Sequence, residues 1–362
     1  EELQEILAEE SSQGSLFGGP QRADLNLDSH QQLTQALERL GIPVPDSTRN
    51  WKLQPLAAQY PVIATLLEYR TVQKALTSYG QNMIELINPA TGRLHADFRQ
   101  IGAPTGRFSC TNPNIQQVPH ATEYRRCFSG YPTGRKLVIA DYSQIELRIL
   151  AEFSGDRGFI EAFNSGADLH RVTAAQVFNV PLDQVSRDQR DFAKRLNFGV
   201  VYGIGAQRFS IMTGLSVPEA ENVLRRYFAT YRGLETYLRE AANRAVNERQ
   251  ARTASGRLVR FRYDENDRQQ ISMTQRNGKN TPIQGTSADI LKRALRLLKD
   301  ELRDTSARIV NIIHDEIVVE ADADQAIEIS QMVERAMCAA GEEYLRTVPV
   351  KVETEIAVEW VK

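Results

Sequence analysis

Two acids, Asp141 and Asp315, stand where ionised side chains are expensive. Asp315 belongs to the triplet His314-Asp315-Glu316, which interrupts the apolar run ARIVNIIHDEIVVEA from Ala307 to Ala321, and Asp141 lies in a second strand-like run, KLVIADYS. A carboxylate held away from water without a partner costs several kcal/mol, so something must pair with these groups. A divalent metal ion is the simplest partner. Two strands that each deliver one Asp to a shared pair of ions give the geometry of two-metal phosphoryl transfer.

A second constellation lies on a helix. Ser186-Arg187-Asp188-Gln189 fits a capping box, which predicts a helix from near Arg187 to Gly203. Along it Arg190, Lys194, Phe198 and Tyr202 recur every fourth residue, two cations followed by two aromatic rings on one stripe. That stripe is roughly 18 Å long at 1.5 Å per residue, enough to follow a nucleotide from triphosphate to base. The same spacing also suits an amphipathic helix with its rings in the core and its cations in water. Gly199, Gly203 and Gly205 weaken the helix end, as a hinge or a moving lid would require.

Positioning these groups requires particular elements. Residues 1–12 read as a helix, followed by the Gly/Ser-rich linker SSQGSLFGGPQR. A short helix in DSHQQLTQALERL is capped by Asp28 or Ser29 and closed at Gly41; Pro43 and Pro45 then break the chain. A longer helix spans Pro61 to Tyr79, with Leu66, Leu67 and Tyr69 as its buried stripe. Short strands are expected between Leu94 and Asp141, a mainly helical block from Ser143 to Asn247, and a hairpin at ASGRLVRF. The last part predicts a helix over Ser287 to Arg303, the hairpin carrying Asp315, a helix over Asp324 to Tyr344 and a strand in VPVKVETEIAVEW. Strands on both sides of the helical block must pair in one sheet if Asp141 is to meet Asp315.

Composition sets the bounds. The 362 residues, 41% hydrophobic and 25% charged, suffice for two or three packed subdomains. Cys110, Cys127 and Cys338 show no zinc or disulfide spacing, which fits a reducing compartment. No apolar stretch is long enough to span a membrane, and the opening EELQEILAEE resembles a charged helix rather than a secretion signal; the missing initiator Met suggests a fragment or a processed chain. The net charge of −2 conceals basic clusters at Arg187 to Arg195 and at Arg249, Arg252, Arg257, Arg260 and Arg262. These could follow a phosphate backbone or form solvated helix faces.

DYSQIELR (Asp141 to Arg148), RDFAKRLNFGVVYG (Arg190 to Gly203) and IHDE (Ile313 to Glu316) resemble the three polymerase motifs of the family A DNA polymerases, the bacterial DNA polymerase I type. TGRFSCTNPNIQQVP (Thr105 to Pro119) and NTPIQGTSADILK (Asn280 to Lys292) resemble the blocks that flank that family's site. The likeness runs from about Asn26 onward. It implies an α+β right-hand polymerase fold, in which an antiparallel palm sheet carries helical fingers and thumb: a thumb at 1–91 truncated at its N-terminus, palm at 92–142, fingers at 143–279 and palm again at 280–362.

The resemblance also implies roles. Asp141, Asp315 and the carbonyl of Tyr142 would hold two Mg²⁺ ions, or Mn²⁺, with Glu316 as a nearby catalytic carboxylate. Arg190, Lys194 and His170 would hold the triphosphate, Lys194 also serving catalysis; Phe198 would pack on the sugar, Tyr202 beside the templating position, and Tyr142 and Gln144 would line the nucleotide site. Glu146 would be a steric gate against a ribose 2′-hydroxyl, or an ordinary solvated helix acid. Arg107, Asn114, Asn280, Gln284 and His314 would contact primer-template DNA near its terminus, reading minor-groove acceptors shared by all correct pairs, and His314 could equally be a satisfied hairpin histidine.

The implied activity is template-directed addition of dNTPs to a primer 3′-hydroxyl with release of pyrophosphate. The implied protein is a monomer in the cytoplasm at the nucleoid or in an organelle, free of any membrane and without a proofreading exonuclease. Gln117, where many relatives have Asn, the short connection from Pro119 to Tyr124 and the compact loop after Pro45 depart from the family pattern. A single-subunit RNA polymerase, a reverse transcriptase and a DNA-binding module of the same shape without chemistry are the alternatives. Glu146 argues against the first, and the presence of both Asp residues against the last.

Overall fold

The apolar runs around Asp141 and Asp315 become the two central strands of one sheet. The computed structural model describes residues 25–44, 47–119 and 122–361, so the helix and linker expected over residues 1–22 and the break at Pro45 lie outside the described residues. The chain divides into two units, Glu1–Leu94 and His95–Lys362.

In the first unit, α1 (His30–Arg39) starts where Ser29 accepts a hydrogen bond from the Gln32 amide. α2 (Asn50–Leu53), α3 (Pro61–Tyr79) and α4 (Gln81–Glu85) follow. Leu33, Leu37, Leu53, Ile63 and Leu66 form its small core. Tyr69 does not join them: it is exposed, as are Val72 and Leu76, because α3 extends past the core it packs on.

In the second unit a ribbon of β1 (Asp97–Arg99) and β2 (Ser109–Thr111) precedes α5 (Thr122–Arg125) and β3 (Arg135–Tyr142). The helical block comprises α6 (Ile145–Ser154), α7 (Arg157–Asn164), α8 (Leu169–Phe178), α9 (Arg187–Val201), α10 (Ala206–Thr213), α11 (Val217–Thr230) and α12 (Arg232–Asn247). The expected hairpin follows as β4 (Gln250–Arg252) and β5 (Leu258–Arg260), then α13 (Arg268–Glu301), β6 (Arg308–Ile313), β7 (Glu316–Asp322), α14 (Ala326–Glu342) and β8 (Val352–Ala357). No helix among the described residues is long and apolar enough to cross a membrane.

The main sheet has the order β6-β7-β3-β8, all antiparallel. β3 is bonded on both edges and packed by α14, which explains why Leu137 to Ala140 are all buried without alternation. The edge strand β8 carries exposed Glu353 and Glu355, charges that discourage further pairing.

α13 corrects one sequence expectation. It begins at Arg268 rather than Ser287, capped by Asp267, and runs through Pro282. Proline removes one backbone donor and normally kinks or ends a helix, but here Thr281, Pro282, Ile283 and Gly285 are buried against neighbours. Tertiary packing on α12 and α14 overrides the local signal.

Candidate active site

Strand pairing brings the two acids together. Asp141 lies opposite Glu316 in the β3–β7 ladder, and the Tyr142 amide donates to the Asp315 carbonyl at 3.4 Å. Asp315 occupies the β6–β7 turn, where His314 takes a left-handed backbone (φ 53°) and stays exposed. Asp315 itself is half-buried, and its carboxyl is crowded: burial first, then the charges of Asp141 and Glu146, push its pKa up to about 7. A dication between Asp141 and Asp315 would relieve that repulsion, so the donor set fits a hard metal ion, with the Tyr142 carbonyl as a further oxygen. Among the described residues no group of three or more His, Cys, Asp or Glu side chains is arranged to hold an ion, so a metal here would rely on two carboxylates and backbone or substrate oxygens.

Glu316 is otherwise engaged. It is buried, accepts a hydrogen bond from Trp360 Nε1 at 3.0 Å, and faces Arg125 Nη1 at 3.8 Å; the Arg125 guanidinium in turn lies 4.2 Å from the Trp360 ring centre. Burial lowers the Arg125 pKa, opposed by Glu316 and Asp141, so this cation sits beside both acids. Sequence reading missed Arg125 and Trp360. Their signal was a buried acid needing partners, which sequence cannot supply across such a separation.

The Arg190 to Tyr202 stripe forms on α9, whose start at Ser186 carries the full capping box. The helix ends at Val201 rather than Gly203, with Tyr202 as its C-cap and Gly203 left-handed (φ 64°). Lys194 is exposed. Arg190 is paired with Asp168 at 2.6 Å, and Asp168 also caps α8 by accepting from the amides of His170 and Arg171. Burial alone would raise the Asp168 pKa, but Arg190 and those amides outweigh it and hold the carboxyl below its usual range. His170 packs near Phe198, with ring centroids 5.8 Å apart, and burial drives its pKa down to about 4, so it is neutral at physiological pH.

Glu146, in the first turn of α6, is buried, contrary to the solvated alternative. Arg107 forms an ion pair with it, and Arg107 and the nearby Tyr202 both favour its charged form; burial nevertheless keeps its pKa raised. The loop carrying Arg107 is clamped: Arg257 donates to the Thr105 carbonyl at 2.7 Å and pairs with Asp289, while Lys292 donates to the Gly106 carbonyl at 2.6 Å. A Cβ at Gly106 would fall 2.5 Å from the Arg257 guanidinium carbon. Arg257 and Lys292 were not singled out individually, although both fall in basic or motif segments.

Comparison with known proteins supplies the family. The sequence model of DNA polymerase family A matches residues 3–362. The chain belongs to that family. It is 37% identical over 352 residues to DNA polymerase I of Pseudomonas aeruginosa, covering 93% of this chain and 38% of that protein. It is 34% identical over 376 residues to the thermostable DNA polymerase I of Thermus aquaticus, covering all of this chain and 44% of that one. The chain thus spans less than half the length of these relatives. The POL domain of Pol1 from M. smegmatis, solved in complex with DNA primer-template and dNTP, superposes with a TM-score of 0.85 at 31% identity, covering 99% of this chain and 65% of that one. The fold is the α+β right-hand polymerase fold.

In this family A chain the remaining candidates are more scattered. Asn114 is exposed and opens a turn of 3-10 helix (Ile115–Gln117), tied to β6 by Gln116 Nε2 donating to the Ile312 carbonyl at 2.9 Å. Asn280 and Gln284 lie one turn apart on α13, both half-buried. Gln144 is left-handed (φ 58°) at the start of α6. The Gln144 Oε1 and Asn280 Oδ1 atoms are buried acceptors that lack a hydrogen-bond partner among the described residues, a state that a bound ligand would satisfy.

Proposed function

We propose that this chain adds deoxynucleotides to a primer 3′-hydroxyl as directed by a template, releasing pyrophosphate. The observation that carries this reading is the meeting of Asp141 and Asp315 at the end of a shared ladder, with the Asp315 carboxyl pushed up to about 7 by burial and by the charges of its acidic neighbours. Asp141, Asp315 and the Tyr142 carbonyl would hold two Mg²⁺ ions, which when bound make the 3′-hydroxyl a better nucleophile and neutralise charge on the pyrophosphate.

The protein's own groups do the positioning. Lys194 and Arg190 offer cationic donors to the triphosphate, and neutral His170 offers one ring N–H. Phe198 presents a flat face to the sugar and Tyr202 closes the far end beside the templating base. Glu146, held by Arg107, occupies volume that a 2′-hydroxyl would need. Glu316 acts from behind, its charge offset by Arg125 and Trp360. Gln144 lines the nucleotide site, and Arg107, Asn114, Asn280, Gln284 and His314 meet the duplex near the primer end. In this reading residues 1–91 are thumb, 92–142 and 280–362 palm, and 143–279 fingers, and the bacterial relatives suggest action at the nucleoid.

Primer extension with Mg²⁺, run beside a duplex-binding measurement, tests the reading. The wild-type chain extends and Asp141→Asn binds without extending; equal extension by both would refute the metal assignment.

A further inference from the structure

His170 has a partner that no role above uses. His170, Thr173, Asn197 and Tyr231 are at most 3% exposed and form one hydrogen-bonded row between α8, α9 and the start of α12. Asn197 Nδ2 lies 3.1 Å from His170 Nδ1 and 3.1 Å from Thr173 Oγ1. Thr173 Oγ1 is also 3.3 Å from Asn197 Oδ1 and 3.1 Å from the Tyr231 hydroxyl. Tyr231 is wedged between Phe159 and Tyr227, with ring centroids 4.8 Å and 5.0 Å away.

An amide NH₂ only donates, so the imidazole nitrogen facing it accepts, and the ring's single proton must then sit on the other nitrogen. We propose that Asn197 is a positioning residue for nucleotide binding, its side-chain amide fixing His170 as the neutral tautomer protonated on Nε2. Thr173 orients the Asn197 amide, and Tyr231 anchors Thr173.

Phosphate oxygens only accept. A neutral imidazole therefore assists a triphosphate through its N–H and repels it through its lone pair, so the tautomer decides the sign of the contact. Ring charge does not rescue the wrong tautomer: Asp168 and Asp191 favour protonation, but burial together with Arg190 and Lys194 prevails and the ring titrates at about 4. The inference rests on the reading of His170 as a triphosphate ligand and adds what makes it a donor.

Long-range ¹H–¹⁵N correlation on histidine-labelled protein reads the tautomer directly, with His170 assigned among the five histidines by its loss in His170→Gln. At neutral pH the expected pattern is a protonated Nε2 and an unprotonated Nδ1. Asn197→Leu should blur that pattern and raise the KM for dNTP about fivefold, leaving kcat within about twofold and duplex affinity unchanged. On the His170→Gln background the same substitution should add almost nothing, whereas a merely structural role would give additive losses.

A wild-type ring protonated on Nδ1, or additive losses, would overturn the proposal. If His170→Gln leaves the KM for dNTP unmoved, the ligand reading itself fails and the functional half of the proposal falls with it, while the spectrum still reports whether Asn197 sets the tautomer. Should Asn197→Leu not fold, Thr173→Val takes its place, and a tautomer and KM unchanged in that variant count against the row.

Discussion

Arg107 and Glu146 form an ion pair bridging the TGRF loop and the first turn of α6. Glu146 is thereby fixed in place as well as buried. Removing its side chain in Glu146→Ala should raise ribonucleotide relative to deoxynucleotide incorporation by about 10- to 200-fold, the range for filling or emptying a small volume in a pocket. Glu146→Gln keeps the volume and should stay within a few-fold of wild type. Competitive incorporation assays measure the ratio, and an unchanged ratio in Glu146→Ala would remove the gate.

Asp315 should trade stability for chemistry. Its pKa of about 7 lies above the ordinary carboxylate value of about 4, so the folded state holds a proton the unfolded chain has lost, and stability falls as pH rises through that window. In chelator at pH above 7, Asp315→Asn should be more stable than wild type by about 1 to 3 kcal/mol, an advantage that vanishes below about pH 4. Mg²⁺ should stabilise only the wild type, and the variant should not extend a primer. Urea titrations across pH, with and without Mg²⁺, decide it; a variant less stable at alkaline pH contradicts the crowding.

Glu316 should prove more fragile through its partners than through its own charge. Arg125→Ala removes the cation that faces the buried Glu316 carboxylate and should cost about 3 to 5 kcal/mol, as breaking a buried pair does. Trp360→Phe removes one charged-acceptor hydrogen bond, about 1.5 to 3 kcal/mol. Glu316→Gln, which removes the charge and keeps the shape, should cost less than Arg125→Ala. The opposite ranking in denaturant unfolding would show that Glu316 is not anchored there.

Helix contact depends on Gly278. A Cβ there would meet the Ala245 Cβ at 2.2 Å and the Ala241 carbonyl at 3.0 Å, so α13 presents bare backbone to the Ala245 methyl of α12. Gly278→Ala should destabilise by about 1 to 3 kcal/mol. Adding Ala245→Gly should recover part of that loss, less about 1 kcal/mol for glycine inside a helix. Thermal unfolding of the three variants checks this, and no recovery in the double variant would place the strain elsewhere.

Local chemistry was legible from the residues alone. The capping box at Ser186, the span of α3 and the pairing that joins Asp141 to the His314 hairpin all follow from patterns within a few residues or from the cost of an isolated carboxylate. What escaped was nonlocal. α13 continues through Pro282 because neighbouring helices bury it, and the Arg125–Trp360 grip on Glu316 joins segments that no periodicity links. Asn197 lay inside a recognised block, yet its place in a buried row appears only when α8 and α9 are laid side by side.

The order β6-β7-β3-β8 sets a schedule for biosynthesis. β3 leaves the ribosome before the whole helical block, while both strands that flank it emerge after that block. Until then its ladder groups are unclaimed along two edges, and Asp141 has no acidic neighbour across the strand. A nascent chain that ends before the β6–β7 hairpin therefore lacks Asp315 and Glu316 and cannot assemble the cluster of acids around Asp141.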